Sequence, residues 1–253
     1  HKGALDKGPS FVPCPCGSGK IIINDSSIMA GKLSARLLDG TIVFDYDGRE
    51  ITRREKTLSG YYTVDDRPYA AEYLRASVGE MFYGLGERFT PFVKNGQSVD
   101  IWNEDGGTAS EQAYKNIPFI LSSRGYGILV SSYGRVSFEV ESEAVEDLQF
   151  SIPGERLTYY IIAGKTLSDV LMRYSDLAGK PALPPDWSFG LWLSTSFTTD
   201  YSEQTVMSFI EGMEKRNIPI SVFHFDCFWM KGFHWTDFLW DEKVFPDPEG
   251  LLK

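Results

Sequence analysis

Residues 220–225, with the sequence ISVFHF, decide the fold of the second half of the chain. Their apolar side chains face both sides of an extended strand, as a strand buried in a parallel sheet requires. Residues 188–194, SFGLWLS, have the same character. Apolar residues at helical spacing lie between the two segments: Val206, Phe209, Ile210 and Met213. This order predicts a βαβ unit with a right-handed crossover.

The predicted helix of this unit has its own boundary signals. Asp200 and Glu203 are spaced as a capping box, and Pro219 ends the apolar stripe. A single βαβ unit leaves apolar strand faces uncovered, so we expect the natural chain to continue beyond Lys253. Position 1 is His rather than Met, which favours a fragment of a longer protein.

The first half of the chain has a different sequence pattern. From residue 20 to about 163, short β-type runs alternate with turns rich in Gly and Asp. In the run 136–140, VSFEV, the apolar residues share one face of a strand. Many short strands of this kind predict an antiparallel β-sandwich, and their order is left open.

A connector, residues 166–187, separates the halves. Val170, Leu171 and Tyr174 lie at helical spacing, and Gly179 followed by prolines ends the helix. We therefore expect an N-terminal sandwich at 1–165, truncated at its start, and a second domain at 188–253.

The composition excludes several classes of protein. There are 25 Lys and Arg against 35 Asp and Glu, a formal net charge of −10, which disfavours nucleic acid or an anionic membrane as a partner. No run approaches the roughly 20 apolar residues of a membrane span. The 3 cysteines form no disulfide framework, so we expect a reducing, cytoplasmic location.

Two N-terminal patterns lack essential parts of the binding motifs they resemble. Residues 17–20, GSGK, follow Cys14 where a phosphate loop has its first Gly, and Ile21 stands where Ser or Thr would bind magnesium. Cys14 and Cys16 have no second ligand pair nearby. We expect neither a nucleotide site nor a metal site.

Several segments occur in a characteristic order along the chain: 82–89 (FYGLGERF), 102–108 (WNEDGGT), 111–119 (EQAYKNIPF), 181–185 (PALPP), 188–199 (SFGLWLSTSFTT) and 223–231 (FHFDCFWMK). Together they resemble glycoside hydrolase family 31, and specifically its bacterial α-xylosidase branch. The resemblance runs from about residue 78 to the C-terminus. It implies a mainly β fold, an antiparallel β-sandwich followed by the first βαβ unit of a truncated (β/α)8 barrel.

The resemblance also implies substrate-binding positions, because barrel sites lie at the C-terminal ends of the strands. Asp226 ends the second barrel strand and would hold hydroxyls of the sugar in the −1 subsite. From the residues alone, a turn Asp or a helix N-cap remains an alternative. Phe197, just past the first strand, would be a stacking platform, and core packing is the alternative.

Cys227 and Phe228 carry the substrate hypothesis. Their combination is similar to that of α-xylosidases, in which a bulky ring would collide with the C5 hydroxymethyl of glucose, whereas xylose has only hydrogen there. Cys227 is equally compatible with a small buried hydrophobe. Trp235 is a further candidate platform, and Asp105 would help form the substrate entrance, although its setting is also typical of a surface turn.

Retaining glycosidases need two carboxyl groups about 5–5.5 Å apart. The resemblance places both on later barrel strands, so we expect no catalytic residue within this chain and an inactive excerpt. It implies an α-xyloside oligosaccharide substrate and no cofactor. Family members often form homo-oligomers, but no stretch here indicates an interface. The alternatives are a family 31 α-glucosidase and a non-catalytic sugar-binding or assembly module.

Overall fold

In the computed structural model, the described residues are 2–3, 21–55, 57–105, 111–195, 199 and 202–253. The chain forms two compact units, His1–Lys180 and Pro181–Lys253. The boundary falls within the segment that the sequence assigns to the connector. The N-terminal GSGK and cysteine patterns, Phe197 and Asp200 lie outside the described residues.

The described part of the first unit is built mainly of strands. They are β1 Lys2–Gly3, β2 Ile21–Asn24, β3 Ser27–Ala30, β4 Leu33–Leu38, β5 Thr41–Tyr46, β6 Arg49–Arg53, β7 Gly60–Val64, β8 Arg67–Arg75, β9 Phe82–Gly84, β10 Gln97–Ile101, β11 Phe119–Ser122, β12 Tyr126–Val130, β13 Val136–Val140, β14 Asp147–Pro153 and β15 Tyr159–Ala163. Helix α1, Leu167–Ala178, follows them.

These strands form antiparallel sheets, as predicted. One sheet has the order β1-β7-β8-β14-β13-β10, a second has β15-β12-β11-β9, and a third has β2-β3-β4-β5-β6. The pairing of β8 with β14 joins strands that are far apart in the chain. The sequence left this order open, and the sheets settle it.

The larger of two apolar clusters in the described part of the first unit forms the core of the sandwich, and the smaller one lies between helix α1 and the four-stranded sheet. The side chains of Val136, Phe138 and Val140 are fully buried, and the intervening residues of β13 face outward, as the alternation predicts. Phe138 opposes Phe150 of β14, with ring centroids 5.8 Å apart. Residues of β5, β6, β9 and β12 pack into the same core, so it connects all three sheets.

Helix α1 covers part of the four-stranded sheet. Thr166 and Asp169 form a capping box at its start, and Gly179 with φ 104° ends it. The ring of Tyr174 stacks on Phe119 of β11, with centroids 4.2 Å apart. The helix therefore packs on the sandwich rather than being a free connector.

The second unit contains the predicted βαβ unit. Its elements are a 3₁₀ helix at Asp186–Phe189, β16 at Trp192–Ser194, α2 at Glu203–Glu214, β17 at Val222–His224 and α3 at Pro248–Leu251. Strands β16 and β17 pair in parallel, with Leu193 opposite Phe223. Both strands are shorter than the sequence predicts, because 186–189 forms a helical turn and 220–221 lies outside the ladder.

One local expectation in this unit is wrong. Helix α2 is capped by Ser202, whose side chain accepts a hydrogen bond from the Thr205 N–H at 3.2 Å, and not by Asp200. Trp192 is 50% exposed, in agreement with the expectation that a single βαβ unit leaves apolar strand faces uncovered. No described helix is long and apolar enough to cross a membrane.

A buried ion pair lies beside the core of the first unit. Arg54 Nε donates to Glu72 Oε1 of β8 at 2.8 Å, and both side chains are largely buried. Burial raises the pKa of Glu72, and the charge of Arg54 opposes this increase. Arg54 therefore offsets part of the cost of keeping a charged carboxylate inside the protein.

Replacing Arg54 by Met should destabilise the fold by about 3–5 kcal/mol at neutral pH, since Glu72 then lacks its partner. The variant raises the folded-state pKa of Glu72 further above its ordinary value of 4.5. Below that value the Glu72 carboxyl is protonated in both the folded and the unfolded protein. The loss of stability should therefore shrink at low pH and grow as pH rises. Urea unfolding at about pH 4 and about pH 7 measures the difference.

The matched control is Arg53→Met, because Arg53 pairs with Glu50 at the surface, with about 40% of each side chain exposed. It should cost no more than about 1 kcal/mol. An equal loss for Arg54→Met at both pH values would contradict the role given to the ion pair.

Candidate active-site region

Asp226 stands two residues after β17, at the carboxyl end of the parallel pair. Its φ of 53° is left-handed, a conformation that Asp tolerates better than most residues. Oδ1 accepts a hydrogen bond from the Cys227 N–H at 2.7 Å, which orients the carboxylate. Oδ2 has no hydrogen-bond partner among the described residues, so it is available to a ligand hydroxyl.

Phe228 and Trp235 lie beside each other in the segment that follows β17. The two rings meet edge to face, with centroids 6.3 Å apart. Phe228 is half-buried and packs against the cluster around Val206 and Phe245, whereas 42% of Trp235 is exposed. One ring is thus held by the interior of the unit and the other is accessible to a ligand.

Cys227 is a half-buried free thiol. The Met230 N–H donates to its carbonyl at 3.2 Å, so Cys227 begins a tight turn that carries Phe228 and Trp229. Cys227 is thus a small side chain between Asp226 and Phe228. Its setting offers no described partner that would activate a thiolate.

The segment from 231 to 240 is organised by consecutive turns. The His234 N–H donates to the Lys231 carbonyl at 2.9 Å, and the Asp237 N–H donates to the His234 carbonyl at 3.2 Å. Two exposed aromatic residues in these turns, Phe233 and Phe238, have left-handed φ values of 62° and 55°. Neither residue was predicted from the sequence, although Gly232, directly before Phe233, is a turn signal.

Asp105 lies in the first unit, and it is exposed. Its Oδ1 accepts a hydrogen bond from the Tyr114 hydroxyl. The segments on either side of residues 106–110 are held together, because the Glu104 N–H donates to the Ala113 carbonyl at 3.0 Å and Gln112 Nε2 donates to Glu104 Oε2 at 2.6 Å. Residues 106–110 themselves lie outside the described part of the chain.

Arg88 anchors this segment to the sandwich. Its guanidinium donates to the carbonyls of Leu85 at 3.1 Å, Asp100 at 2.7 Å and Glu111 at 3.1 Å. Burial lowers the pKa of Arg88, and nearby carboxylates oppose that effect. The FYGLGERF segment therefore positions the loop that carries Asp105.

The preceding glycine is required for a close backbone approach. Gly86 has a φ of 92°, and a Cβ at this position would lie 2.0 Å from the Lys115 carbonyl oxygen. Any side chain there would push the 111–119 segment away from Arg88.

A polar cavity of about 380 Å³ adjoins this loop within the first unit. Its lining includes the indole of Trp102, with the Arg135 guanidinium 5.7 Å from the ring centroid. Arg135 also pairs with Asp100 at 2.8 Å. Carboxylates outnumber cations in the lining, which disfavours an anionic ligand, and the described residues contain no cluster of three or more metal-ligating side chains.

The structure brings together Asp226, Cys227, Phe228 and Trp235 within one unit. Asp105 belongs to the other unit, and Phe197 lies outside the described residues. The roles assigned to all six positions stay predictions.

Family models match both units. The model of the glycosyl hydrolase 31 N-terminal galactose mutarotase-like domain matches residues 21–139, and the model of the glycosyl hydrolases family 31 TIM-barrel domain matches residues 181–253. Together the matches cover most of the chain, and they agree with the two units seen in the structure.

Two relatives are similar over most of this chain. The alpha-xylosidase XylQ of Lactiplantibacillus pentosus is 54% identical over 240 residues, covering 92% of this chain and 32% of the relative. An alpha-xylosidase of Emericella nidulans is 55% identical over 207 residues, covering 82% of this chain and 26% of the relative. The chain thus spans about a third or less of each relative's length.

Solved structures share the fold. A Flavobacterium johnsoniae GH31 dextranase complexed with isomaltotriose superposes with a TM-score of 0.77 at 24% identity, covering 92% of this chain and 29% of that one. A GH31 alpha-xylosidase from a soil metagenome, complexed with xylose, gives 0.72 at 19% identity, covering 98% and 39%. At these identities the likeness supports the fold alone.

The hydrogen bond to Asp105 raises the pKa of the Tyr114 phenol above its ordinary value of 10.0. In an Asp105→Asn variant this phenol should therefore ionise at lower pH than in the wild type. The neutral amide lacks the negative charge with which the Asp105 carboxylate stabilises the protonated hydroxyl. Ring-labelled tyrosine followed by NMR during a pH titration measures the change. Asp66→Asn, a surface control in another turn, should leave it unchanged, and an unshifted Tyr114 in Asp105→Asn would contradict the contact.

Proposed function

Since the chain belongs to glycoside hydrolase family 31, we propose that it is the N-terminal part of a retaining α-xylosidase. Its substrates are terminal non-reducing α-xylosyl residues, for example those of xyloglucan oligosaccharides. The names of the relatives with 54% and 55% identity support this substrate. The observation that carries it is the half-buried Phe228 ring, which lies directly after Asp226 and Cys227 at the end of the second barrel strand.

Asp226 binds the sugar in this proposal. A carboxylate can accept hydrogen bonds from two neighbouring hydroxyls, and its charge strengthens both. The bond from the Cys227 N–H holds Oδ1 in place, and Oδ2 is open among the described residues. Asp226 therefore orients the xylosyl ring and is not the nucleophile.

Phe228 sets the specificity by exclusion. Its ring packs against the apolar cluster of the second unit and against the edge of Trp235. A ring held on two sides cannot move aside at low cost, because closely packed interiors resist rearrangement. The C5 hydroxymethyl of glucose would collide with it, whereas xylose carries only hydrogen there.

The remaining parts of the proposal concern the whole protein. The nucleophile and the acid/base are carboxyl groups on later barrel strands, and the reaction proceeds by double displacement without a cofactor. Asp105 contributes to the substrate entrance and Phe197 to stacking. The domains are residues 1–165, 166–187 and 188–253, and a cytoplasmic location agrees with the free thiol of Cys227.

The proposed activity predicts a defined product. The complete protein should hydrolyse an aryl α-xyloside faster than the matching aryl α-glucoside, and NMR should detect α-xylose as the first product, because double displacement retains the configuration. Initial release of β-xylose, or a preference for the glucoside, would contradict the proposal. Sugar binding without hydrolysis would favour the non-catalytic module instead.

Phe228→Ala tests the exclusion mechanism. Removing the ring makes room for one hydroxymethyl group, so the ratio of kcat/KM for the glucoside to that for the xyloside should rise about 10- to 100-fold. Steady-state kinetics on the two aryl glycosides measures the ratio.

Phe238→Ala is the control, because Phe238 is an exposed ring of the same unit that contacts Trp229 rather than Phe228, so its loss should leave the ratio unchanged. An unchanged ratio in Phe228→Ala would favour the α-glucosidase alternative or another source of specificity.

A further inference from the structure

Phe233 occupies an unusual position in the segment after β17. Its side chain is 91% exposed, and its backbone has a left-handed φ of 62°. The hydrogen bond from the His234 N–H to the Lys231 carbonyl closes the turn that contains it. Glycine is the residue that this conformation favours, and here glycine stands one position earlier, at 232.

Neither the turn nor the interior of the unit accounts for a phenylalanine at this position. A positive φ is unfavourable for a bulky residue. Strained backbone of this kind clusters at ligand-binding and active sites, where the side chain has a task outside the folded core. The backbone conformation of Phe233, together with its stacked ring, therefore makes it a candidate ligand contact.

The ring of Phe233 extends the surface begun by the site residues. It stacks on Trp235 with centroids 5.5 Å apart and planes 28° apart. Trp235 in turn contacts Phe228 edge to face. The three rings form a continuous aromatic row that starts at Phe228, two residues after Asp226 in the chain, and ends at the exposed ring of Phe233.

Phe238 provides an internal comparison. It has the same backbone conformation, with a φ of 55°, and is 74% exposed. Its ring contacts Trp229 at 6.5 Å, and Trp229 packs on Trp240 in the apolar cluster. Phe238 thus lies at the end of a different row, which leads into the core and not to Asp226.

We propose that Phe233 is a specificity-determining residue that stacks against a sugar of the aglycone, beyond the xylosyl unit held at Asp226. This inference rests on the proposed function. The ligand class follows from the surface: a pyranose presents a flat face of C–H groups, which gains by burial against an aromatic ring. A terminal xylose would occupy the Asp226 end of the row, and the next sugars would reach Phe233.

The experiment compares a substrate that has an aglycone sugar with one that has none. An α-xylosylated β-glucan oligosaccharide is the first, and α-xylosyl fluoride is the second. Phe233→Gly removes the ring and keeps the left-handed turn, since Gly favours that conformation. In the complete protein, the ratio of kcat/KM for the oligosaccharide to that for the fluoride should fall about 3- to 10-fold, mainly through KM.

Two control variants distinguish the effect of losing the ring from the effect of disturbing the turn. Phe233→Tyr retains the platform and should keep the wild-type ratio. Phe238→Gly makes the same change at the matched exposed position and should also keep it. Thermal unfolding of each variant verifies that the turn survives.

The outcomes discriminate between explanations. A loss in Phe233→Gly that is equal for both substrates would assign Phe233 to the fold of the loop and overturn the inference, as would an unchanged ratio. An equal fall of the ratio in Phe238→Gly would also overturn it, because any exposed ring would then serve. If the wild-type protein hydrolyses neither xyloside, the proposed function fails and the inference fails with it.

Discussion

The parallel pairing of β16 with β17 is the constraint on which the candidate site depends. Side-by-side parallel strands end at the same edge of the sheet, and residues that follow them are exposed there by the geometry of the backbone. Asp226 comes two residues after β17 and has a left-handed φ of 53°, so the extended conformation of the strand ends there. The aromatic row then forms from the segment that follows.

A second constraint acts beside the loop that carries Asp105, where contacts to the backbone hold neighbouring segments together. Gly86 allows the backbone to approach Lys115, and Arg88 binds three carbonyl oxygens on separate segments. Hydrogen bonds to a charged donor are strong, and their loss leaves a partly buried guanidinium unpaired. The FYGLGERF motif therefore has a structural role, because it holds the loop that carries Asp105. Its residues need not contact a substrate.

Aromatic residues have opposite tasks in the two units. In the sandwich, Phe138 and Phe150 fill the core between the sheets. After β17, buried Phe245 belongs to the apolar cluster against which Phe228 packs, so the proposed function starts from a ring that is held in place before a ligand binds. Such preorganisation lowers the entropic cost of binding. The same residue type thus fills the core of one unit and, in the proposed function, binds the ligand in the other.

The sequence by itself determined the features that depend on local periodicity. The alternation at 136–140 identified the buried face of β13, and the spacing of Val206, Phe209 and Ile210 identified α2. The order of motifs identified the family and placed Asp226, Cys227 and Phe228 at a strand end. The predictions from periodicity hold because each rests on residues within one strand or helix, and the family identification holds because it rests on the order of motifs along the chain.

The tertiary structure decided what depends on distant residues. The pairing of β8 with β14, the docking of α1 on Phe119, and the shortening of β16 and β17 all follow from packing between segments that no local pattern connects. Ser202 caps α2. The sequence favoured Asp200, because two polar residues so close together give equal capping signals. Phe233 could not be predicted from the sequence, because its proposed role depends on stacking with the Trp235 ring, and only the folded turn brings the two rings together.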